Sequence, residues 1–149
     1  MSENIEVRLG TPNDVDEICR LLADFMFAEN GEGPLNYVKG KKQVSALLEN
    51  GVVFVAVCNG DIVGSIGLYE DSPWYSDARG LRDLWTFVHP DNRGAHIATK
   101  LITAAKEAAD KRGLQLYLGI LTPVKLEEKM KFYERLGFRL AGALYTGGS

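Results

Sequence analysis

The sequence predicts an α/β domain (α+β in some schemes) built on one mixed, mostly antiparallel sheet with helices on both faces. Three observations carry that prediction. Asn59-Gly60 lies between two apolar runs, the strongest short signal for a β-hairpin. The stretch from Arg79 to Leu121 reads strand–helix–strand, a crossover that pairs its strands in parallel with a right-handed connection. The chain also lacks internal repeats, linkers and low-complexity segments, so residues 1–149 are expected to form a single domain.

Each element has a local reason. Ile5-Glu6-Val7-Arg8-Leu9 alternates apolar and polar residues and reads as a strand. Thr11-Pro12-Asn13-Asp14 starts a helix with a cap, a proline at the first helical position and an early carboxylate. Val15, Ile18, Leu22 and Phe25 continue it at helical spacing to about Ala28. Glu29 to Gly40 is glycine-rich and polar, a loop, and a short helix over Lys41 to Glu49 ends before Gly51. Val52 to Val57 and Ile62 to Tyr69 are the hairpin strands. An acidic and aromatic loop follows from Glu70 to Asp77, then a strand from about Arg79 to Val88. A helix with Ile97, Leu101, Ala105 and Ala108 on one face stops at Gly113, and Leu114 to Leu121 is the returning strand. Thr122-Pro123 opens a last helix that ends at Gly137, and Phe138 to Tyr145 reads as a last strand.

The composition, 46% hydrophobic and 25% charged, is ordinary for a globular domain, and 149 residues can bury a core without staples. A net charge of −3 with no block of lysine or arginine argues against a nucleic-acid or anionic-membrane surface and admits a cationic substrate. Met1-Ser2-Glu3-Asn4 has neither the basic start nor the apolar run of a signal peptide, and no stretch approaches a membrane span. A cytoplasmic location is expected. Cys19 and Cys58 sit in apolar contexts with no histidine at ligand spacing, so they read as core residues, with neither disulfide nor metal assigned.

The most informative segment is His89-Pro90-Asp91-Asn92-Arg93-Gly94-Ala95-His96-Ile97-Ala98, which joins a strand to a helix through a glycine-containing turn. The first four amides of a helix lack internal partners, and the macrodipole adds partial positive charge there. Such a turn is an anion cradle, suited to a phosphate or pyrophosphate.

Arg93-Gly94-Ala95-His96-Ile97-Ala98 resembles the Arg/Gln-x-x-Gly-x-Gly/Ala signature of the GCN5-related N-acetyltransferases, the GNAT family. Phe132-Tyr133-Glu134-Arg135-Leu136-Gly137-Phe138 is similar to that family's Y-E-K-x-G-F segment. The two motifs stand in the family's order, as do the elements between them. Two positions depart from the pattern: His96 takes the place of a usual glycine, and Leu126 that of a frequent asparagine.

The resemblance implies acetyl-coenzyme A as co-substrate, with its pyrophosphate on Arg93, Gly94, Ala95, His96, Ile97 and Ala98. It also implies backbone amides near Phe87 or Val88 for the oxyanion or the pantetheine arm. The reaction implied is acetyl transfer to a primary amine of a small molecule or protein, by direct attack on the thioester. The alternative is a non-catalytic GNAT-fold module that binds coenzyme A. Expected partners are the amine acceptor, with a homodimer allowed and neither nucleic acid nor membrane.

A lysine-like amine with a pKa near ~10.4 costs about 4.6 kcal/mol to neutralise at pH 7, whereas an α-amine near ~8 needs far less help. Asp83 and Glu70 are the candidate bases, beside a water relay, and His89 is a third; solvated or capping roles compete for all three. Tyr133 matches the family's proposed general acid, and a core role beside Leu126 and Met130 is its alternative. Arg93 reads equally as a phosphate contact or a solvated loop charge. The acceptor is expected over the Glu29–Gly40 and Glu70–Asp77 loops, where Trp74 and Tyr75 with Glu70, Asp71 and Asp77 offer cation–π contact. An exposed polar loop is the plainer reading of that last group.

Overall fold

A computed structural model describes residues 4–94 and 96–148. The chain divides into two compact units, Met1–Leu118 and Gly119–Ser149.

In the first unit, β1 (Ile5–Leu9) pairs antiparallel with β2 (Val52–Cys58), β2 with β3 (Asp61–Asp71), and β3 with β4 (Gly80–Val88). β5 (Gln115–Tyr117) joins β4 in parallel, giving the order β1-β2-β3-β4-β5. The sheet is thus mixed and mostly antiparallel, as predicted. The Asn59-Gly60 turn, with φ of 52° and 86°, makes the β2–β3 hairpin.

The first helix begins where the sequence places it. Asp14 Oδ2 accepts from the Thr11 amide at 2.7 Å, after which α1 (Val15–Leu21) runs into a π-helical stretch, Leu22–Phe27, and a final turn, α2 (Ala28–Asn30). The π stretch is invisible in the sequence because apolar spacing continues through it. Such stretches are rare and concentrate at functional sites. α3 (Tyr37–Asn50) begins earlier than expected, because Asn36 Oδ1 accepts from the Lys39 amide at 3.1 Å. Gly40, which suggested a loop, lies inside this helix with Leu35 packed where a side chain would stand.

Cross-strand pairs share a face, so Val55 with Ser65 lie on one side and Ala56 with Gly64 on the other. On the first side Ile18, Leu21 and Leu22 of the first helix and Val44 and Leu47 of α3 pack with Val53, Val55, Trp85 and Phe87. Buried Ser65 is satisfied there: it accepts from Trp85 Nε1 at 2.9 Å and donates to the Phe54 carbonyl at 2.9 Å. On the second side α4 (Ile97–Arg112) covers the sheet. A Cβ on Gly64 would stand 3.2 Å from both Ile97 and Leu101, so that residue lets the start of α4 sit close on β3. Cys19 and Cys58 are both buried, as expected.

In the second unit α5 (Leu126–Arg135) is the element the sequence places after Thr122-Pro123. It starts three residues later than a proline-initiated helix would, because Thr122 Oγ1 accepts from the Val124 amide in a local turn at 3.1 Å. Two strand expectations are corrected. The returning strand is only Gln115–Tyr117, and Phe138 to Tyr145 forms no strand. Leu140-Ala141-Gly142-Ala143 explains the second difference, since small residues and glycine pack poorly on a pleated surface.

Candidate functional site

β4, which leads into the candidate site, is irregular. Trp85 pairs with Gly67 and Asp83 with Leu68, leaving Leu84 as the extra residue of a bulge. Bulges bend a strand and raise its twist. The parallel ladder with β5 ends beside this bulge, at Arg82↔Tyr117, where the Arg82 guanidinium carbon lies 4.4 Å from the Tyr117 ring centroid. The β4–β5 register covers Gly80 to Arg82, so Thr86 to Val88 lie beyond it.

The orientation of that edge follows from one hydrogen bond. The His89 amide donates to the Val63 carbonyl at 2.7 Å, so His89 and Phe87 turn their backbone groups toward β3. Thr86 and Val88 therefore turn theirs to the open side. Consistently, the Val88 carbonyl accepts there from Arg93 Nε at 3.2 Å. Of the two amides named from the sequence, that of Val88 turns away from β3 and that of Phe87 toward it.

The cradle follows. After a 3-10 turn, Pro90–Asn92, Gly94 adopts φ +92° and His96 φ +61°, and α4 starts at Ile97. His96 is thus in the left-handed conformation that glycine favours, not the helical one. Ala95 lies outside the described residues. The first bond inside the helix joins the Lys100 amide to the His96 carbonyl at 3.0 Å. His96 makes no side-chain cap bond and the first turn holds no acidic residue, so neither the His96 side chain nor a first-turn carboxylate offsets the positive end of the helix dipole. Ile97 is buried in the sheet packing, whereas His96 is exposed.

Other residues are placed as follows. Asp83 and Thr86 share a face across the bulge, with Thr86 Oγ1 donating to Asp83 Oδ2 at 2.7 Å. Both oxygens of Glu70 are engaged, by Arg79 Nε and Arg112 Nη1, each at 3.2 Å. His89 packs against Phe25 with centroids 4.1 Å apart and the rings tilted by 55°, while its Nδ1 accepts from the Asp91 amide at 3.0 Å. Trp74 and Tyr75 are exposed and meet edge to face at 5.4 Å. In the second unit, the half-buried Tyr133 lies on α5 with its ring 5.8 Å from Phe132 and 6.1 Å from Phe138. Arg93 Nη1 pairs with Glu29 Oε2 at 2.8 Å, and its guanidinium lies over the Phe87 ring. Sequence reasoning missed Glu29 and Phe25, since a partnership across so many intervening residues leaves no local pattern.

The family model described as Acetyltransferase (GNAT) domain matches residues 49–140, which span β2 to α5 and both motifs. The chain belongs to the GNAT family. An uncharacterized N-acetyltransferase of Methanocaldococcus jannaschii is 33% identical over 144 residues, covering 89% of this chain and 59% of the relative. N-alpha-acetyltransferase 30 of Schizosaccharomyces pombe is 36% identical over 92 residues, covering 62% of this chain and 60% of the relative. The chain therefore spans about three fifths of the length of these curated GNAT relatives. Aminoglycoside N-acetyltransferase AAC(6')-Iy, solved in complex with CoA, shares the fold at a TM-score of 0.75 and 15% identity, covering 100% of this chain and 97% of that one.

Proposed function

We propose that this GNAT-family chain moves an acetyl group from acetyl-coenzyme A to a primary amine of a small molecule or protein, by direct attack on the thioester. The observation that carries this reading is the uncapped, acid-free start of α4 beside an open strand edge whose Val88 amide points outward. The amides of Gly94, His96, Ile97 and Ala98 are those we assign to the diphosphate. The Val88 amide is assigned to the thioester carbonyl, where it would stabilise developing negative charge.

The remaining steps are proton movements. Asp83, held by Thr86, is our candidate for drawing the proton from the attacking amine, directly or through water. Glu70 suits that task less, with both oxygens on guanidinium groups. Tyr133 is assigned to return a proton to the departing thiolate, a transfer that a neutral phenol can make. An α-amine needs little base at neutral pH, and the likeness to an N-alpha-acetyltransferase supports that acceptor class. No helix among the described residues is long and apolar enough to cross a membrane, and a cytoplasmic site of action belongs to the same proposal.

Calorimetry with acetyl-coenzyme A, coupled to thiol release over α-amine, lysine-like and aminoglycoside acceptors, tests the reading. Binding with acceptor-dependent release is expected. No binding would overturn it. A second reading, a non-catalytic coenzyme A-binding module, draws on His96 and Leu126, and tight binding without release for any acceptor class would favour it.

A further inference from the structure

The loop that shapes the cradle is held from outside by the first helix. Its two ends are His89 and Arg93, and each meets the segment that follows α1. The His89 ring packs, tilted, against Phe25 of the π-helical stretch, and Arg93 pairs with Glu29 of α2. Arg93 is further fixed by its Nε on the Val88 carbonyl at 3.2 Å and by the Phe87 ring, 5.1 Å from the guanidinium carbon to the centroid. Immediately beyond it the backbone enters positive φ at Gly94 and again at His96. A left-handed non-glycine residue costs roughly 1–2 kcal/mol, so the turn needs an anchor to persist. An isolated exposed ion pair would be a weak one. A planar guanidinium gripped by a carboxylate, a carbonyl and an aromatic face is a better one.

We propose that Arg93 is a positioning residue, clamped by Glu29, that fixes the turn aiming the α4 amides, so that coenzyme affinity depends on Glu29. The proposal rests on the coenzyme reading given above. It assigns Arg93 a role opposite to that of a phosphate ligand, and the two roles differ in what they require of Glu29. A clamp weakens when Glu29 is lost. A phosphate-binding arginine restrained by Glu29 would instead be released.

The test uses Glu29→Gln, Arg93→Gln and the double variant, with two readouts. The first is coenzyme A affinity by calorimetry, together with KM for the acetyl donor against kcat. The second is hydrogen exchange of the loop amides in the ligand-free protein. Glu29→Gln is expected to weaken coenzyme binding by about 3- to 5-fold, with KM rising more than kcat falls. The double variant should be no weaker than Arg93→Gln alone, as members of one unit are non-additive. Loop amides should exchange faster in both single variants. Unchanged or tighter binding in Glu29→Gln alongside a large loss in Arg93→Gln would overturn the proposal and make Arg93 a phosphate ligand. Unchanged loop exchange in Glu29→Gln would equally overturn it. A wild-type protein that binds no coenzyme would sink the functional reading instead, and the exchange measurement would still decide whether Glu29 holds the loop.

Discussion

The Lys100 amide closes the first turn of α4 on the His96 carbonyl at 3.0 Å. The amides of Ile97, Ala98 and Thr99 therefore precede the first helical bond and project from the helix end. His96 reaches this position at φ +61° with an exposed side chain and no cap bond. His96→Gly should then relieve strain without removing a donor. Coenzyme affinity is expected to stay level or tighten slightly, and stability to change by about 0–1 kcal/mol in the favourable direction. Calorimetry and thermal melts check both; a large loss of affinity would make the imidazole itself a ligand group.

Gly94 is the opposite case. A Cβ there meets nothing within 4 Å, but φ +92° is a conformation that L side chains rarely adopt. Gly94→Val should therefore distort the turn and lower coenzyme affinity by about tenfold or more. The strain should also lower stability by about 1–2 kcal/mol, so affinity is measured well below the melting temperature. Unchanged affinity would mean that the turn does not shape the cradle.

Much of this was legible in the sequence, and for definite reasons. The Asn59-Gly60 hairpin, the strand–helix–strand crossover and the turn that opens α4 all rest on local turn chemistry and periodicity. The bulge at Leu84 and the end of the β5 ladder at Arg82 were not, since both arise from registers between strands distant in sequence. The left-handed His96 was missed for a related reason. Histidine tolerates positive φ better than most residues, but its presence does not announce that conformation. Phe138 to Tyr145 failed the other way: its pattern suggested a strand, but Ala141-Gly142-Ala143 offers little to pack.

Tyr133 carries the boldest chemical assignment. Tyr133→Phe keeps the ring contacts with Phe132 and Phe138 but removes the donor. Turnover should fall by about two decades with coenzyme affinity unchanged. Steady-state kinetics beside calorimetry measures the split, and wild-type turnover would remove Tyr133 from the mechanism.

Stability should show one identifiable acid dependence. Arg8 donates to both oxygens of buried Asp14, at 2.8 and 3.1 Å, and these bonds hold its carboxyl below the usual range. A depressed folded pKa gives stability that is complete above the unfolded value, near ~3.9, and lost as pH falls through the folded one. Asp14→Asn should lower stability at neutral pH by about 1 kcal/mol. Its deficit against wild type should shrink in acid, below about pH 4. Melts across that range would show a constant deficit if the pair were irrelevant.

Packing next to the open edge is equally testable. A Cβ on Gly67 would stand 2.5 Å from the Trp85 indole, whose N–H donates to Ser65. Gly67→Ala should cost about 1–3 kcal/mol by pushing the ring from its place. Denaturant unfolding with tryptophan fluorescence reads the loss and the displacement together.

The most direct measurement is a backbone-amide NMR titration with coenzyme A. The largest shifts are expected at Gly94, His96, Ile97 and Ala98, with a further change at Val88. Shifts confined to another surface, or none at about millimolar coenzyme, would contradict it.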